Sequence, residues 1–584
     1  MNRRDFLRLT AGAASVLGTF KLARAQNAVG DLSPVRNLPG ARLETFEYRG
    51  VRLLPGPFAD RLAATRAYYF SLPNDDIVKG FREMANLPAP GTNLGGWCSK
   101  TSAIVFGQWL SGMARIYRAT ADDDMRTKAV DLMKAWGETL PSQKFHHYGY
   151  DKFVCGLVDL AEYAHCPEAL PLLAKMTDWA ENNMRRDRLN ATDEDSTGGF
   201  FNGQGEWYTL SENLYRAYLL TGEVRYKNFA KVWHYENYWG MFNGRTSDTP
   251  DGFHAYSHVN TLSSAAMAYA VTGDGAYLQT ITNAYDYFQK TQCYATGGYG
   301  PGEKLMRPNG ELGNSIVIEP NEKYLGKVKG KSFETPCGTW AVFKLVRYLQ
   351  QFTGEARYSD WTERVLYNGI GAALPMAGRG ETFYYADYRL NNARKNYFGA
   401  AFPCCSGTYL QDVADIHNII YLKDSSGLFV NLYVPSEVTW DRGGQSIKLT
   451  QTTRYPTEET INFVLNLDRP STFNIRFRVP EWATNVSMTQ NAAVVSGLRA
   501  KPGQWLELNR LWQNGDTFTL RIPLTPRQVA IDEAHPQRVA WVRGPVVLVR
   551  PLDKGPTNNA ETPVGMVPFA EMKKHAPYLM YSDV

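Results

Sequence analysis

Cysteine is scarce in this chain. Seven residues in 584, an odd number, are too few for the disulfide framework of a small secreted domain. Basic clusters are missing too: 63 lysines and arginines against 58 acidic residues leave a net charge of only +5, evenly spread. No nucleic-acid partner is expected from such a surface. No run stays apolar over the roughly 20 residues a membrane span needs, so none is expected in the mature chain. Low-complexity segments, phosphate-binding Gly-rich loops, a serine-nucleophile elbow and a zinc-protease helix are also absent. What remains is a long globular chain, with length enough for two or three domains and a large core.

The N-terminus, "MNRRDFLRLTAGAASVLGTFKLARAQ", is distinctive. Arg3 and Arg4 precede a short uncharged run from Leu9 to Phe20, and Ala23-Arg24-Ala25 forms a small-x-small cleavage site. The segment resembles a twin-arginine export signal cut after Ala25, which implies a periplasmic or secreted mature protein. Such substrates fold before they cross, so a metal can be loaded while thiols are still reduced. That reconciles export with unpaired cysteines.

Two regions follow. From about residue 61 to 424 the apolar period is helical, punctuated by Thr221-Gly222-Glu223, Thr272-Gly273-Asp274 and Thr353-Gly354-Glu355, with a degenerate copy at Thr120. Each complete copy has a tyrosine five residues after its threonine (Tyr226, Tyr277, Tyr358). Glycine ends a helix and the acidic residue helps start the next. A period of about 50 residues reads as a helix pair with a long loop, and six or seven pairs predict an (α/α)6 toroid, with an open solenoid as the alternative. The Gly- and aromatic-rich loops should gather at one mouth. From 425 to 584 apolar and polar residues alternate between turns, which predicts a β-sandwich region. The segment 26–60 contains a strand-like stretch expected to join it.

Chemistry concentrates in "FETPCGTW" and "FPCCSGTYL". Cys404 and Cys405 are neighbours, and consecutive Cα atoms, about 3.8 Å apart, are too close for a relaxed disulfide. The pair is therefore a strained redox switch, an accident, or part of a metal site. Cys337, with Glu334 three residues before it, supplies the ligands that would complete a tetrahedral shell. Three thiolates and a carboxylate favour zinc or iron over calcium or magnesium.

These two stretches, with "AVFKLVRYLQQFTGEARYSDWTERVLYNGI" between them, resemble glycoside hydrolase family 127, the β-L-arabinofuranosidases, with features of the related families 142 and 146. The similarity extends from "GPF" near residue 56 through "RGPVVLV". It implies an (α/α)6 barrel followed by β-sandwich domains. It also implies a Zn2+ ion held by Glu334, Cys337, Cys404 and Cys405, with Cys404 as the nucleophile of a retaining glycosidase. A glutamate in "GGYGPGEKL", Glu303, is the implied acid/base, with Glu319 and Glu322 as competitors. His258 and Asn260 of "HVNT", Glu363, and Tyr384 and Tyr385 of "TFYYADY" are the implied substrate-binding residues.

The chain departs from the family in places. Thr335 and Pro336 both intervene between Glu334 and Cys337, where one residue is commoner. Asp151-Lys152 stands where relatives carry a histidine, and Cys98 where an acidic residue is frequent. The expected substrate is a β-L-arabinofuranoside or pectic side chain. The rivals are a glycosidase of the same fold acting on a branched or acidic pectic sugar, and a non-catalytic, zinc-stabilised glycan-binding protein.

Overall fold

The Thr-Gly-acid punctuation is where the helices turn. In the computed structural model, which describes residues 38–99, 105–186, 205–317, 323–324, 327–328, 333–390, 392–552 and 565–583, Gly222, Gly273 and Gly354 adopt left-handed φ values of +74°, +73° and +76° at the ends of three helices. A side chain there would be strained, which is why glycine recurs. Each preceding threonine hydroxyl donates to the carbonyl four residues back and accepts the amide two residues on, as in Thr353 to Leu349 and Glu355 to Thr353. The motif is thus a helix stop with its own hydrogen bonds. The signal-like segment 1–25, Glu319 and Glu322 lie outside the described residues.

Thirteen helices of nine or more residues are described: α1 (Pro57–Ser71), α2 (Asn74–Met84), α3 (Phe106–Thr120), α4 (Asp123–Gly137), α5 (His147–Tyr163), α6 (Ala169–Asn183), α7 (Leu210–Thr221), α8 (Val224–Val232), α9 (Ala255–Thr272), α10 (Gly275–Thr291), α11 (Thr335–Thr353), α12 (Ser359–Asn368) and α13 (Cys404–Ile419). Helices α3, α5, α7, α9, α11 and α13 contact one another in chain order, and α13 returns to α3, closing a ring. Helices α4, α6, α8, α10 and α12 lie outside it, each packed on its inner neighbour, and α1 packs on α13. This is the (α/α)6 toroid. The inner helices are buried nearly all round, as a helix walled in by two neighbours and an outer partner must be.

The β region is built from three sheets. Five strands run in the order Glu44–Thr45, Tyr421–Asp424, Gly427–Val430, Ser471–Arg478, Trp505–Trp512. Seven run Ala493–Val494, Ser487–Gln490, Thr517–Arg521, Thr460–Leu467, Gln445–Thr453, Ser436–Arg442, Val51–Leu53. Alternating burial, such as that of Thr460–Leu467, brings Phe473 and Phe477 of one sheet against Trp440, Phe463 and Phe518 of the other. That aromatic layer makes the sandwich. Strands from the N-terminal segment pair with one edge of each sheet. The remaining strands, from Pro526 to Asp583, form a separate six-stranded sheet. It docks on the toroid through Asn368, whose amide donates to the Pro545 carbonyl and whose oxygen accepts from Val547 N.

Candidate active site

Inner helices alternate with outer ones that return the chain, so the inner six all start at the same end of the ring. Their N-termini converge there, each presenting unsatisfied N–H groups and the positive end of its dipole. Cys404 and Cys405 are the first two residues of α13, after Pro403 as N-cap. Glu334 is the N-cap of α11, with ψ 91°, and Pro336 stands in the first turn. This accounts for the extra residue between Glu334 and Cys337. The cap is extended and absorbs it, so carboxylate and thiol still face the same point. Adjacent cysteines make sense at a helix start, where both side chains reach the space beyond the end.

The four ligand atoms of Glu334, Cys337, Cys404 and Cys405 lie within 4.8 Å of one another, and all four residues are buried. Cys404 Sγ is 3.1 Å from Glu334 Oε1 and 3.5 Å from Tyr384 Oη. Cys405 Sγ is 3.6 Å from the same Glu334 oxygen and 3.4 Å from Cys337 Sγ. Burial pushes the Cys337 and Cys405 thiols well up. Burial also opposes ionisation of Cys404, but hydrogen bonds from the neighbouring thiols and Tyr384 outweigh it and leave Cys404 below the ordinary thiol range. Three such thiols crowded in a dry pocket cannot all ionise without a cation. The second oxygen, Glu334 Oε2, is buried and has only a long ion pair, to His254 Nε2 at 3.4 Å, with no well-aligned hydrogen bond among the described residues. The donor set, two helix dipoles and an under-satisfied carboxylate together fit a thiolate-binding metal ion.

The hairpin of Phe383–Ala386 and Lys395–Tyr397 closes one side. Tyr384 meets Cys404, while the Tyr385 hydroxyl donates to Glu303 Oε1. The strand is bulged between Phe383 and Tyr385, and the two tyrosine rings meet edge-on with centroids 4.4 Å apart, so both face the same pocket and serve two partners there. Glu303 is half-buried in a one-turn helix, with φ +64°. Tyr384 packs on Phe398, which meets Trp97 edge-on at 6.1 Å, making an aromatic rim. The loop carrying Trp97 lies close against residue 401: a side chain at Gly96 would collide with the Ala401 carbonyl at 2.0 Å.

Three residues that the sequence did not single out as substrate contacts belong to this mouth. His254, N-cap of α9, has Nε2 3.4 Å from Glu334 Oε2 and Nδ1 3.6 Å from Glu206 Oε1. Burial pulls its pKa down, but Glu334, Glu206 and Glu303 raise it overall. Tyr148, at the start of α5, and Tyr256, at the start of α9, are both raised well up, first by burial and then by the charges of Cys404, Cys337 and Glu206. A usable signal existed. His254 stands eighteen residues before the Thr272 helix stop, and Glu334 nineteen before Thr353, so counting back from each stop locates the mouth.

Other expected residues fall elsewhere. His258 is one helical turn deeper than His254 and fully buried among Tyr208, Tyr238 and Phe253, with Nδ1 2.8 Å from the His254 carbonyl. Asn260 is buried on the same helix, its Oδ1 without a hydrogen-bond partner among the described residues. Glu363 is corrected most clearly. It sits on outer helix α12, salt-bridged to Arg478 at 2.6 Å, and accepts from Tyr455 at 2.8 Å and Trp482 at 3.2 Å. It joins toroid to sandwich, away from the cysteine cluster, because a buried carboxylate needs the guanidinium the β domain supplies.

The comparisons with known proteins agree with this architecture. The model of the β-L-arabinofuranosidase GH127 catalytic domain matches residues 50–138 and 127–418, and that of the GH127 middle domain matches 427–524. The solved structure of Ara127N-Se, a GH127 β-L-arabinofuranosidase from Geobacillus stearothermophilus T6, superposes with a TM-score of 0.67 at 18% identity, covering 91% of this chain and 99% of that one. A structure described as a GH127 β-arabinofuranosidase gives 0.69 at 18% identity, covering 93% and 98%. Another, named only as a glycoside hydrolase, gives 0.69 at 16%, covering 94% and 99%. No curated protein matches significantly in sequence. The catalytic-domain match spans well over half the length, and the chain belongs to the GH127 β-L-arabinofuranosidase family of glycoside hydrolases.

Proposed function

We propose that this protein is an exported, zinc-dependent retaining glycosidase that releases β-L-arabinofuranosyl units from plant polysaccharide or glycan side chains, with Cys404 as nucleophile. The observation that carries the reading is the position of Cys404 Sγ. It is the most readily ionised of three clustered thiols, at a helix N-terminus, with Tyr384 beside it and Glu303 held one residue further along the same strand. Glu334, Cys337, Cys404 and Cys405 would hold the zinc, which supplies charge neutralisation that keeps the thiols deprotonated and makes sulfur a better leaving group. Zinc is favoured because the donors are mostly soft thiolates.

In the first step the Cys404 thiolate attacks the anomeric carbon as the glycosidic C–O bond breaks, and Glu303 gives its proton to the leaving oxygen. In the second, Glu303 takes a proton from water, the oxygen attacks the same carbon, and the C–S bond breaks. Two inversions give net retention. Tyr385 holds the Glu303 carboxyl by hydrogen bonding, and Tyr384 solvates sulfur when it is anionic. The twin-arginine-like N-terminus supports export after folding, with the metal loaded beforehand.

The test combines metal analysis with turnover of an aryl β-L-arabinofuranoside. One zinc per chain and NMR detection of the β-anomer as first product are expected. Metal-free protein purified under reducing, chelator-free conditions would sink the nucleophile assignment, and an α-anomeric first product would rule out retention.

A further inference from the structure

Glu206 stands out among the residues at the mouth. It is a non-glycine residue at φ +57°, in the turn that feeds α7. Left-handed backbone at such a residue costs free energy and persists where the surroundings hold it. Its side chain is 4% exposed, yet Oε2 has no hydrogen-bond partner among the described residues. A buried carboxylate oxygen without a donor is also costly. Two unfavourable features coincide on one side chain that borders the cysteine cluster through His254. The Tyr256 hydroxyl, raised first by burial and then by charges that include Glu206 and Cys404, likewise has no partner among the described residues.

A vacant carboxylate acceptor is satisfied by a ligand hydroxyl. The surrounding charge decides which kind of ligand. Glu206, Glu303 and Glu334 all act on His254, and three thiols lie just beyond. Of the nearby cations, Lys152 is already paired with Asp151 at 3.1 Å, and His254 is shared between two carboxylates. Burial has already pushed Glu206 up to about 7, with His254 and Lys152 opposing. Zinc would offset the thiolates, and Lys304, buried beside Glu303 and bridged through its backbone to His254, has a partner of its own, so no unpaired ammonium is left at this mouth for a substrate carboxylate among the described residues.

We infer that Glu206 is a specificity-determining residue that accepts a hydroxyl of a neutral sugar, and that this pocket rejects uronic acids. The inference rests on the glycosidase reading but narrows it, because it removes the acidic pectic sugar from the substrates. A hydroxyl donating to a carboxylate is among the stronger neutral-ligand contacts, and a second carboxylate in the same cavity is repelled.

The experiment uses metal-loaded full-length mature protein. Wild type, Glu206→Gln and Glu206→Ala are titrated with L-arabinose, D-galactose, D-xylose and D-galacturonate, followed by tryptophan fluorescence, with zinc content and thermal unfolding recorded for each. At least one neutral sugar should bind wild type, and Glu206→Ala should weaken it tenfold or more. Galacturonate should bind wild type at least tenfold more weakly than galactose, and Glu206→Gln should narrow that gap. The near-isosteric glutamine variant carries the test if the alanine variant does not fold. Equal neutral-sugar affinity in wild type and variants, galacturonate binding as tight as galactose, or no neutral sugar binding at all would each overturn the inference. Neutral-sugar binding that depends on Glu206 without any arabinofuranoside hydrolysis would sink the proposed substrate and leave the inference standing.

Discussion

The two ends of the ring of inner helices make opposite use of buried charge. Deeper along the axis, Arg115 pairs with Asp159 and with Asp415, both at 2.7 Å, Arg216 pairs with Asp159 at 2.5 Å and Glu162 at 2.9 Å, and Arg347 pairs with Asp415 at 3.1 Å. Lys344 is held by Glu212. These guanidinium forks and carboxylates satisfy one another, and the exception among the deeper carboxyls is Asp412 on α13, fully buried with neither oxygen hydrogen-bonded among the described residues and held well above the carboxylate range by burial. At the mouth, Glu206 keeps one buried oxygen without a hydrogen-bond partner among the described residues, Glu334 Oε2 has only the long ion pair to His254 at 3.4 Å, and three thiols face one another. A closed network builds the ring; an open one is built for something to enter. The difference separates structural charge from functional charge within the same helices.

The largest effect should come from the open end. Cys404→Ser replaces the nucleophile by a far poorer one, and turnover should fall at least about 10⁴-fold, about 5.5 kcal/mol in activation free energy. Circular dichroism should still report a folded chain. Residual activity above one part in a hundred would move the chemistry elsewhere.

At the closed end the loss should be of stability instead. Asp159→Asn strips countercharge from both Arg115 and Arg216, and breaking buried pairs of this kind costs about 3–5 kcal/mol. Urea unfolding should show it, with zinc stoichiometry unchanged in the folded fraction. A variant that kept its stability but lost its metal would erase the distinction between the two ends.

The third prediction concerns pH. His417, near the C-terminal end of α13, is buried, has Nδ1 2.9 Å from the Ala414 carbonyl, and is held by burial down to about 4. Its folded pKa is depressed, so the fold prefers neutral imidazole. Its stabilising contribution is fully present above about pH 6.5 and drains away as pH falls toward 4, by about 3 kcal/mol in all. His417→Phe should flatten that acid limb in urea titrations at pH 7 and 4.5. An unchanged pH slope would refute the assignment.

The smallest effect is Tyr384→Phe, which removes one hydroxyl facing Cys404. Turnover should drop about tenfold, about 1.4 kcal/mol, with little change in thermal unfolding. A large fall in stability with unaltered turnover would make Tyr384 a structural residue like those deeper in the ring.

Much of this was legible beforehand because it is local. The Thr-Gly-acid stops encode helix ends through glycine's conformational freedom and the threonine hydroxyl, and these need no tertiary partner. The Glu-Cys and Cys-Cys stretches were legible because metal ligands recur at helix starts with restricted spacing. Less legible was which turn of α9 reaches the mouth. His254 and His258 are four residues apart on one face, and only the packing of Tyr208, Tyr238 and Phe253 around His258 decides that His254 meets Glu334. Glu363 was misplaced for a similar reason. A carboxylate on a helix carries no mark of whether that helix is inner or outer, or of Arg478 arriving from a strand 115 residues later.

The sequence by itself determined the helical period, the stops that close each pair, the alternation that makes the sheets, and the residue types able to bind a soft metal. These depend on neighbours within a few positions, where backbone geometry and side-chain chemistry act directly. Tertiary structure alone decided that six helix N-termini meet at one point, that Glu206 arrives there with an oxygen unsatisfied, and that Arg115 and Asp415 meet 300 residues apart. Such meetings depend on how the ring closes, which is set by the summed packing of twelve helices rather than by any local signal.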